Sequence, residues 1–133
     1  MGIIYWDTCV WISLLGNSKC QAFEQAGIDD VIRMVDDNEV TLITSVITRV
    51  EILKGKLTDD IADKYLDTLE NNPNIEEIEV HRYIAQKAHE IRSYYRKQGS
   101  NISTPDVLHI ATAITGMADE MHTFDGGGKK GDY

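Results

Sequence analysis

Four acidic residues, far apart in the sequence, are the side chains best suited to chemistry: Asp7, Glu51, Asp106 and Asp125. Carboxylates brought close together repel one another unless a cation lies between them. Their hard oxygen atoms favour Mg²⁺ or Mn²⁺ over zinc. One or two such ions lower the pKa of a bound water and neutralise charge that develops on a phosphodiester. The set therefore indicates metal-assisted hydrolysis, provided that the fold brings the four acids together.

Short apolar runs alternate with helical patterns along the chain. Strands are predicted at 3–6, 40–43, 75–80 and 121–124. The third carries several glutamates, so we expect it at an edge. Helices are predicted at 9–15, after Ser18 with a break at Gly27 before 29–37, and from Thr44 or Ser45 to Lys54. Three more are predicted at 58–71, 81–98 and 105–115. This alternation favours an α/β fold with a mainly parallel sheet. Ligands of such folds bind at the carboxyl ends of the strands, where Asp7 and Asp125 are predicted to lie.

Asp106 is predicted to lie in the first turn of the last helix. Thr104 is suited to the N-cap and Pro105 to the first helical position. The buried face is predicted to contain Val107, Ile110, Ala111 and Ile114. The helix dipole alone would favour an acid in the first turn, so a structural role for Asp106 is the alternative.

Composition indicates one domain of an ordinary globular protein. The 133 residues carry a formal net charge of −9, which does not suit a protein that holds nucleic acid by bulk positive charge. We expect a domain at 1–125 and a glycine-rich tail at 126–133. Cys9 and Cys20 are expected to be reduced thiols. No signal peptide or membrane-spanning run is visible, which predicts a cytoplasmic protein without a membrane partner.

The motifs around the acids resemble those of the PIN-domain ribonucleases, and more narrowly those of VapC-type toxins from toxin–antitoxin pairs. They are DTCVWI at 7–12, SVITRVEILKG at 45–55, PDVLHIATA at 105–113 and TFD at 123–125. The resemblance implies a PIN-like three-layer α/β/α fold with a short, mainly parallel central sheet. It also implies an endoribonuclease dependent on Mg²⁺ or Mn²⁺ that leaves a 3′-hydroxyl and a 5′-phosphate.

The resemblance places the family's acidic positions on the four acids. We expect Asp7, Asp106 and Asp125 to bind metal, directly or through water, and Glu51 to be a further ligand or to orient the attacking water. Thr8 is expected to contact a metal-bound water or a phosphate. Further expectations are an RNA substrate, a homodimer and an antitoxin partner with a basic segment.

Other side chains have weaker functional interpretations. Arg92 and Arg96 are candidates for RNA contact, although such a pair more often forms a solvated helix face. His109 forms an Asp-x-x-His pair with Asp106, but the second such pair of a di-iron bundle is missing, which favours a structural role.

Three rival functions follow from the same acids. A haloacid dehalogenase-type phosphatase using Asp7 as nucleophile needs a second acid at position 9, which is Cys9. A receiver domain needs paired acids at the first strand and an acceptor aspartate after a central strand. A PIN-like interaction module that has lost its activity is the non-enzymatic alternative.

Overall fold

Four short parallel strands form the centre of the fold. A computed structural model describes residues 2–16, 22–53 and 59–123 of the chain. Its strands are Gly2–Trp6 (β1), Val40–Ser45 (β2), Ile75–Ile78 (β3) and Glu120–His122 (β4). Their order in the sheet is β3-β2-β1-β4, and each neighbouring pair is parallel. This confirms the predicted parallel α/β sheet, with the glutamate-rich β3 at an edge.

Six helices of the described part cover the two faces of the sheet. They are Thr8–Leu15 (α1), Ala22–Asp36 (α2), Thr48–Glu51 (α3), Asp59–Asn71 (α4), Arg82–Lys97 (α5) and Thr104–Thr115 (α6). The main apolar core joins β1 and β2 to α1, α2 and α4. On the opposite face α6 packs against the sheet and α5 packs against α6. The predicted three-layer α/β/α arrangement is confirmed. None of the described helices is long and apolar enough to cross a membrane.

Alternation along β1 supplies both faces of the sheet. Successive side chains of a strand point to opposite faces. Trp6 lies in the main core, where it packs edge-to-face on Trp11, with ring centroids 5.1 Å apart. Trp11 packs in the same way on Tyr65, at 5.2 Å. Tyr5 points to the other face, toward α6. One strand thus anchors the core and places a phenol beneath the layer that carries Asp106.

The predicted helix break at Gly27 is wrong, because α2 runs without interruption from Ala22 to Asp36. A glycine inside a helix costs only about 1 kcal/mol relative to alanine. Burial of Ile28, Val31 and Val35 on the same helix offsets that cost.

The helix predicted from Thr44 or Ser45 to Lys54 is also shorter than expected. Thr44 and Ser45 still belong to β2, and α3 is a single turn, Thr48–Glu51. The hydroxyl of Thr44 donates to the carbonyl of Trp6 at 2.7 Å, whereas that of Ser45 accepts from the backbone N–H of Ile47 at 3.2 Å, just before the first turn of α3. Lys54 lies outside the described residues.

Helix α6 begins one residue earlier than its sequence suggests. Its N-cap is Ser103, whose side chain accepts a hydrogen bond from the backbone N–H of Asp106 at 3.2 Å. Thr104 is already helical. Ile114 was predicted to be buried but is 52% exposed, because the last turn of α6 leaves its side chain in solvent. Asp106 nevertheless lies in the first turn, as predicted.

Gly116 allows the end of α6 to approach the sheet closely. A β-carbon there would lie 2.7 Å from Cδ1 of Ile43 and 3.1 Å from Cδ1 of Ile78. We expect Gly116→Ala to lower the free energy of unfolding by about 1–3 kcal/mol, the usual cost of overpacking. Gly27→Ala is the matched control, because its β-carbon would meet nothing within 4 Å. The control should raise stability by about 0.5–1 kcal/mol. Urea denaturation of both variants measures the difference, and equal changes would contradict the packing argument.

Candidate active site

Asp7 lies at the carboxyl end of β1, where the chain turns into α1. It is the N-cap of α1, and its Oδ1 accepts a hydrogen bond from the backbone N–H of Cys9 at 3.1 Å. The residue is only 3% exposed. The positive end of the helix dipole favours a carboxylate at this position, so the first predicted acid is held in a fixed orientation inside the protein.

Glu51 is carried by α3, which is too short to be stable on its own. Tertiary contacts hold this turn. Thr48 is fully buried, and its hydroxyl lies 3.1 Å from the hydroxyl of Thr44 at the end of β2. Ile52, directly after Glu51, is 1% exposed. The sheet and core therefore fix the backbone that presents Glu51.

An ion pair on the outer side of α3 adds to this support. Nε of Arg49 donates to Oε1 of Glu77 at 2.7 Å, and the hydroxyl of Tyr65 donates to Oε2 at 2.7 Å. The hydrogen bond and charge of Glu77 raise the pKa of Arg49. Burial raises the pKa of Tyr65, and Glu77 adds to the shift. Glu77 thereby links α3 to β3 and α4.

Asp106 reaches the same region from the N-terminus of α6. The loop before α6 is held by Arg92, which donates to the carbonyl of Ile102 and to the hydroxyl of Thr104, each at 2.9 Å. Ser103 then caps the backbone N–H of Asp106. These three hydrogen bonds thus set where the first turn of α6 begins.

These elements meet at a cavity of about 90 Å³. It is lined by Asp7, Thr8, Cys9, Ile12, Glu51, Asp106 and His109. Three of the four predicted acids and Thr8 are therefore together, at the carboxyl end of the sheet. Asp125 lies outside the described residues, so its position relative to the cavity stays a prediction. The catalytic and metal-binding roles of the other acids also stay predictions.

The two arginines predicted to bind RNA do not line this cavity. Arg92 lies in a separate groove between α5 and α6, and its hydrogen bonds to the loop give it a structural role. Arg96 is exposed in the last turn of α5. Contact of either residue with RNA stays a prediction.

A buried hydrogen-bond network beneath the acids was missed by the sequence interpretation. The hydroxyl of Thr8 donates to Oε1 of Glu51 at 2.6 Å, and Nε2 of His109 lies 2.7 Å from the same oxygen. The hydroxyl of Tyr5 lies 2.5 Å from Nδ1 of His109. The hydroxyl of Thr8 has one hydrogen, which it donates to Glu51. For the predicted contact with a phosphate oxygen, the hydroxyl would have to rotate and give up this hydrogen bond. The available signal was His109, a polar residue within an apolar helix.

The donor set fits a hydrated Mg²⁺ or Mn²⁺. All the predicted ligands are carboxylate oxygens, the ligands that these ions prefer. Among the described residues, no three His, Cys, Asp or Glu side chains form a ready-made metal cluster. Mg²⁺ keeps several of its waters and is held by one or two carboxylates, so a small acidic cavity suits it better than a closed cage.

The sequence matches the PIN domain family over residues 4–130. The chain belongs to the PIN-domain family. This membership confirms the resemblance carried by the four acidic motifs and sets aside the phosphatase and receiver-domain interpretations.

Solved structures show the same fold at low sequence identity. VapBC2 from Rickettsia felis, bound to a DNA fragment of its promoter, has a TM-score of 0.67 at 17% identity and covers 89% of this chain and 85% of that one. FitAcB from Neisseria gonorrhoeae has a TM-score of 0.66 at 23% identity, covering 93% and 88%. VapC20 from Mycobacterium tuberculosis, a sarcin-ricin loop cleaving toxin, has a TM-score of 0.65 at 16% identity, covering 92% and 90%. No curated protein matches the sequence significantly.

Repulsion between buried carboxylates should destabilise the metal-free PIN domain. Asp7→Asn keeps an N-cap that accepts from Cys9 but removes one charge. We expect the melting temperature of this variant without metal to be a few degrees higher than that of the wild type. We also expect Mn²⁺ to raise the melting temperature of the variant by less than it raises that of the wild type. Asp67→Asn, on the exposed side of α4, is the charge-matched control and should leave the Mn²⁺ response unchanged. Equal Mn²⁺ shifts in wild type and Asp7→Asn, measured by differential scanning fluorimetry, would mean that the ion binds elsewhere.

Proposed function

We propose that this PIN domain is a divalent-metal-dependent endoribonuclease that acts as the toxin of a toxin–antitoxin pair. The observation that carries the proposal is the cavity where Asp7, Glu51 and Asp106 meet at the carboxyl end of the sheet. The RNA substrate class is supported by the fold shared with VapC20, whose described activity is cleavage of the sarcin-ricin loop. The toxin role is supported by VapC20, which is described as a toxin, and by a toxin–antitoxin complex from Klebsiella pneumoniae that shares the fold with a TM-score of 0.59.

In this proposal Asp7, Asp106 and Asp125 hold Mg²⁺ or Mn²⁺. When bound, such an ion would supply a water molecule of lowered pKa and positive charge next to the scissile phosphate. Glu51 contributes a further ligand or orients the attacking water, and its own orientation comes from Thr8 and His109. Hydrolysis leaves a 3′-hydroxyl and a 5′-phosphate.

The charge of the protein determines how RNA approaches the cavity. The net charge is −9, and the residues that line the cavity in the described part include no lysine or arginine. Neutralisation of the scissile phosphate is therefore assigned to the ion. Arg92 and Arg96 are proposed to contact RNA farther away, with Arg96 the more accessible of the two.

The activity is tested most directly at Asp106. Asp106→Asn preserves the size and the backbone cap of the residue but removes the charge proposed to hold the ion. It should abolish Mn²⁺-dependent cleavage of a fluorescent single-stranded RNA while leaving the circular dichroism spectrum unchanged. Asp67→Asn should cleave at the wild-type rate. Undiminished cleavage by folded Asp106→Asn, or by wild type in excess EDTA, would overturn the assignment.

The same experiment separates the enzyme from the inactive PIN-like interaction module. A module would bind RNA or a protein without cleaving RNA under any divalent cation. Isothermal titration with Mn²⁺ that shows no binding would favour this alternative.

We also propose that an antitoxin inhibits the enzyme through a basic segment placed in the acidic cavity, and that the toxin is a homodimer. An arginine there would neutralise carboxylates and block substrate together. Its planar fork engages two carboxylate oxygens at once, which lysine does not do. Complementary charge should also speed association and make it sensitive to salt.

Co-expression with the neighbouring reading frame tests the partner proposal. We expect a co-purified complex, with light scattering showing two copies of this chain. Replacing the partner's basic residues one at a time with alanine should identify one whose loss restores cleavage. Full inhibition by a partner that lacks every basic residue near the cavity would refute the charge mechanism, and a monomer mass for the isolated chain at micromolar concentration would refute the homodimer.

A further inference from the structure

His109 is a buried polar side chain on the inner side of α6. It is 4% exposed and lies one helical turn after Asp106, so both residues line the cavity. Burying a polar ring costs free energy unless its nitrogens find hydrogen-bond partners. The partners of the two ring nitrogens therefore indicate what His109 does.

The first partner is Tyr5, on the Nδ1 side of the ring. The hydroxyl of Tyr5 lies 2.5 Å from Nδ1, and the two rings meet edge to face. A phenol hydroxyl can donate to or accept from this nitrogen, so the other side of the ring decides where the hydrogen lies.

The second partner is then Glu51. A carboxylate only accepts hydrogen bonds, so Nε2 carries the hydrogen and donates it to Oε1 of Glu51 at 2.7 Å, and Nδ1 of the neutral ring accepts from Tyr5. The hydroxyl of Thr8 donates to the same oxygen at 2.6 Å. The Thr8 hydroxyl oxygen also lies 3.3 Å from Nε2 of His109. Two donors from different elements, α1 and α6, thus converge on one carboxylate oxygen.

We propose that His109 is a positioning residue, which holds the Glu51 carboxylate in its working orientation through an Nε2–H hydrogen bond, while Nδ1 accepts from Tyr5. The proposal rests on the proposed function, in which Glu51 binds the ion or orients the attacking water. The chain Tyr5–His109–Glu51 connects β1, α6 and α3, so an orientation error in any of them would move the carboxylate.

The same geometry gives His109 no place among the metal ligands. A neutral imidazole binds metal through the lone pair of one nitrogen. Here the lone pair belongs to Nδ1 and accepts from Tyr5, while Nε2 donates to Glu51. In the Asp-x-x-His pair, Asp106 is therefore the proposed metal ligand, whereas His109 supports a different acid, Glu51.

Nitrogen NMR of the metal-free protein tests the hydrogen-bond arrangement without any measurement of activity. The His109 ring should show a protonated Nε2 and an unprotonated Nδ1. Tyr5→Phe removes the donor to Nδ1 and should shift the Nδ1 signal or mix the two tautomers. A protonated Nδ1 in the wild type would overturn the proposal.

Two substitutions at position 109 distinguish a role in positioning the Glu51 carboxylate from a role in packing alone. His109→Gln places an amide nitrogen near the position of Nε2 and should keep most of the activity. His109→Asn places its amide near Nδ1 and loses the bond to Glu51. We expect kcat of His109→Asn to fall roughly 10–100-fold with KM little changed, the usual size of an effect on a residue that supports the reacting groups.

A double-mutant cycle identifies Glu51 as the residue through which His109 acts. Glu51→Gln removes the carboxylate that His109 orients, so adding His109→Asn to it should lower kcat little further. Equal losses in both backgrounds, or wild-type kcat in a folded His109→Asn protein, would overturn the proposal. If His109→Asn does not fold, two other measurements test the proposal. A protonated Nε2 in the wild type and a kcat of His109→Gln close to that of the wild type would support it, and the opposite results would overturn it.

Failure of the proposed function gives a different result. A wild-type protein that cleaves no RNA with Mg²⁺ or Mn²⁺ refutes the nuclease assignment and removes the role given to Glu51. The NMR measurement then still decides whether His109 donates to Glu51. An active wild type with kcat independent of the His109→Asn change refutes the positioning role alone.

Discussion

The desolvation of two carboxylates is the constraint on which the site depends. Asp7 is 3% exposed, and the side chain of Glu51 is 16% exposed. A buried carboxylate without compensation costs several kcal/mol. The fold compensates Asp7 with the start of α1, and Glu51 with donors from Thr8 and His109. Because these donors come from α1 and α6, which lie on opposite faces of the sheet, the carboxylates are stable only when the sheet and both helix layers are assembled.

The two faces of the sheet have different roles: one packs the main core and the other supports the site. Trp6 joins Trp11 and Tyr65 in an edge-to-face cluster that fills the main core. Tyr5, the preceding residue, takes its hydroxyl to the opposite face and supports His109. Strand alternation thus couples the core to the site within two consecutive residues of β1, and a shift of register by one residue would exchange the two roles.

Local patterns in the sequence predicted the elements and missed the contacts between them. Asp7 was expected at the end of a buried strand because an apolar run stops there. The link from Tyr5 to His109 spans 104 positions and depends on packing of α6 against β1, which no local pattern encodes. Neighbouring Ser103 and Thr104 are both good caps, so propensity could not choose between them. At Gly27 propensity suggested a break, and burial along α2 outweighed it.

The network also restricts how substrate is held. In the described part of the cavity, the hydroxyl of Thr8 and the Nε2–H of His109 both donate to Glu51. While these hydrogen bonds are formed, neither group can donate to a phosphate oxygen. In the proposed function, a bound cation would then receive the phosphate oxygen, and without the cation the acids proposed to hold it would repel RNA. Binding of the ion and of RNA would therefore be coupled, and each would raise the affinity for the other by the same factor. Such coupling gives an acidic protein a way to bind a polyanion at one position without a basic surface.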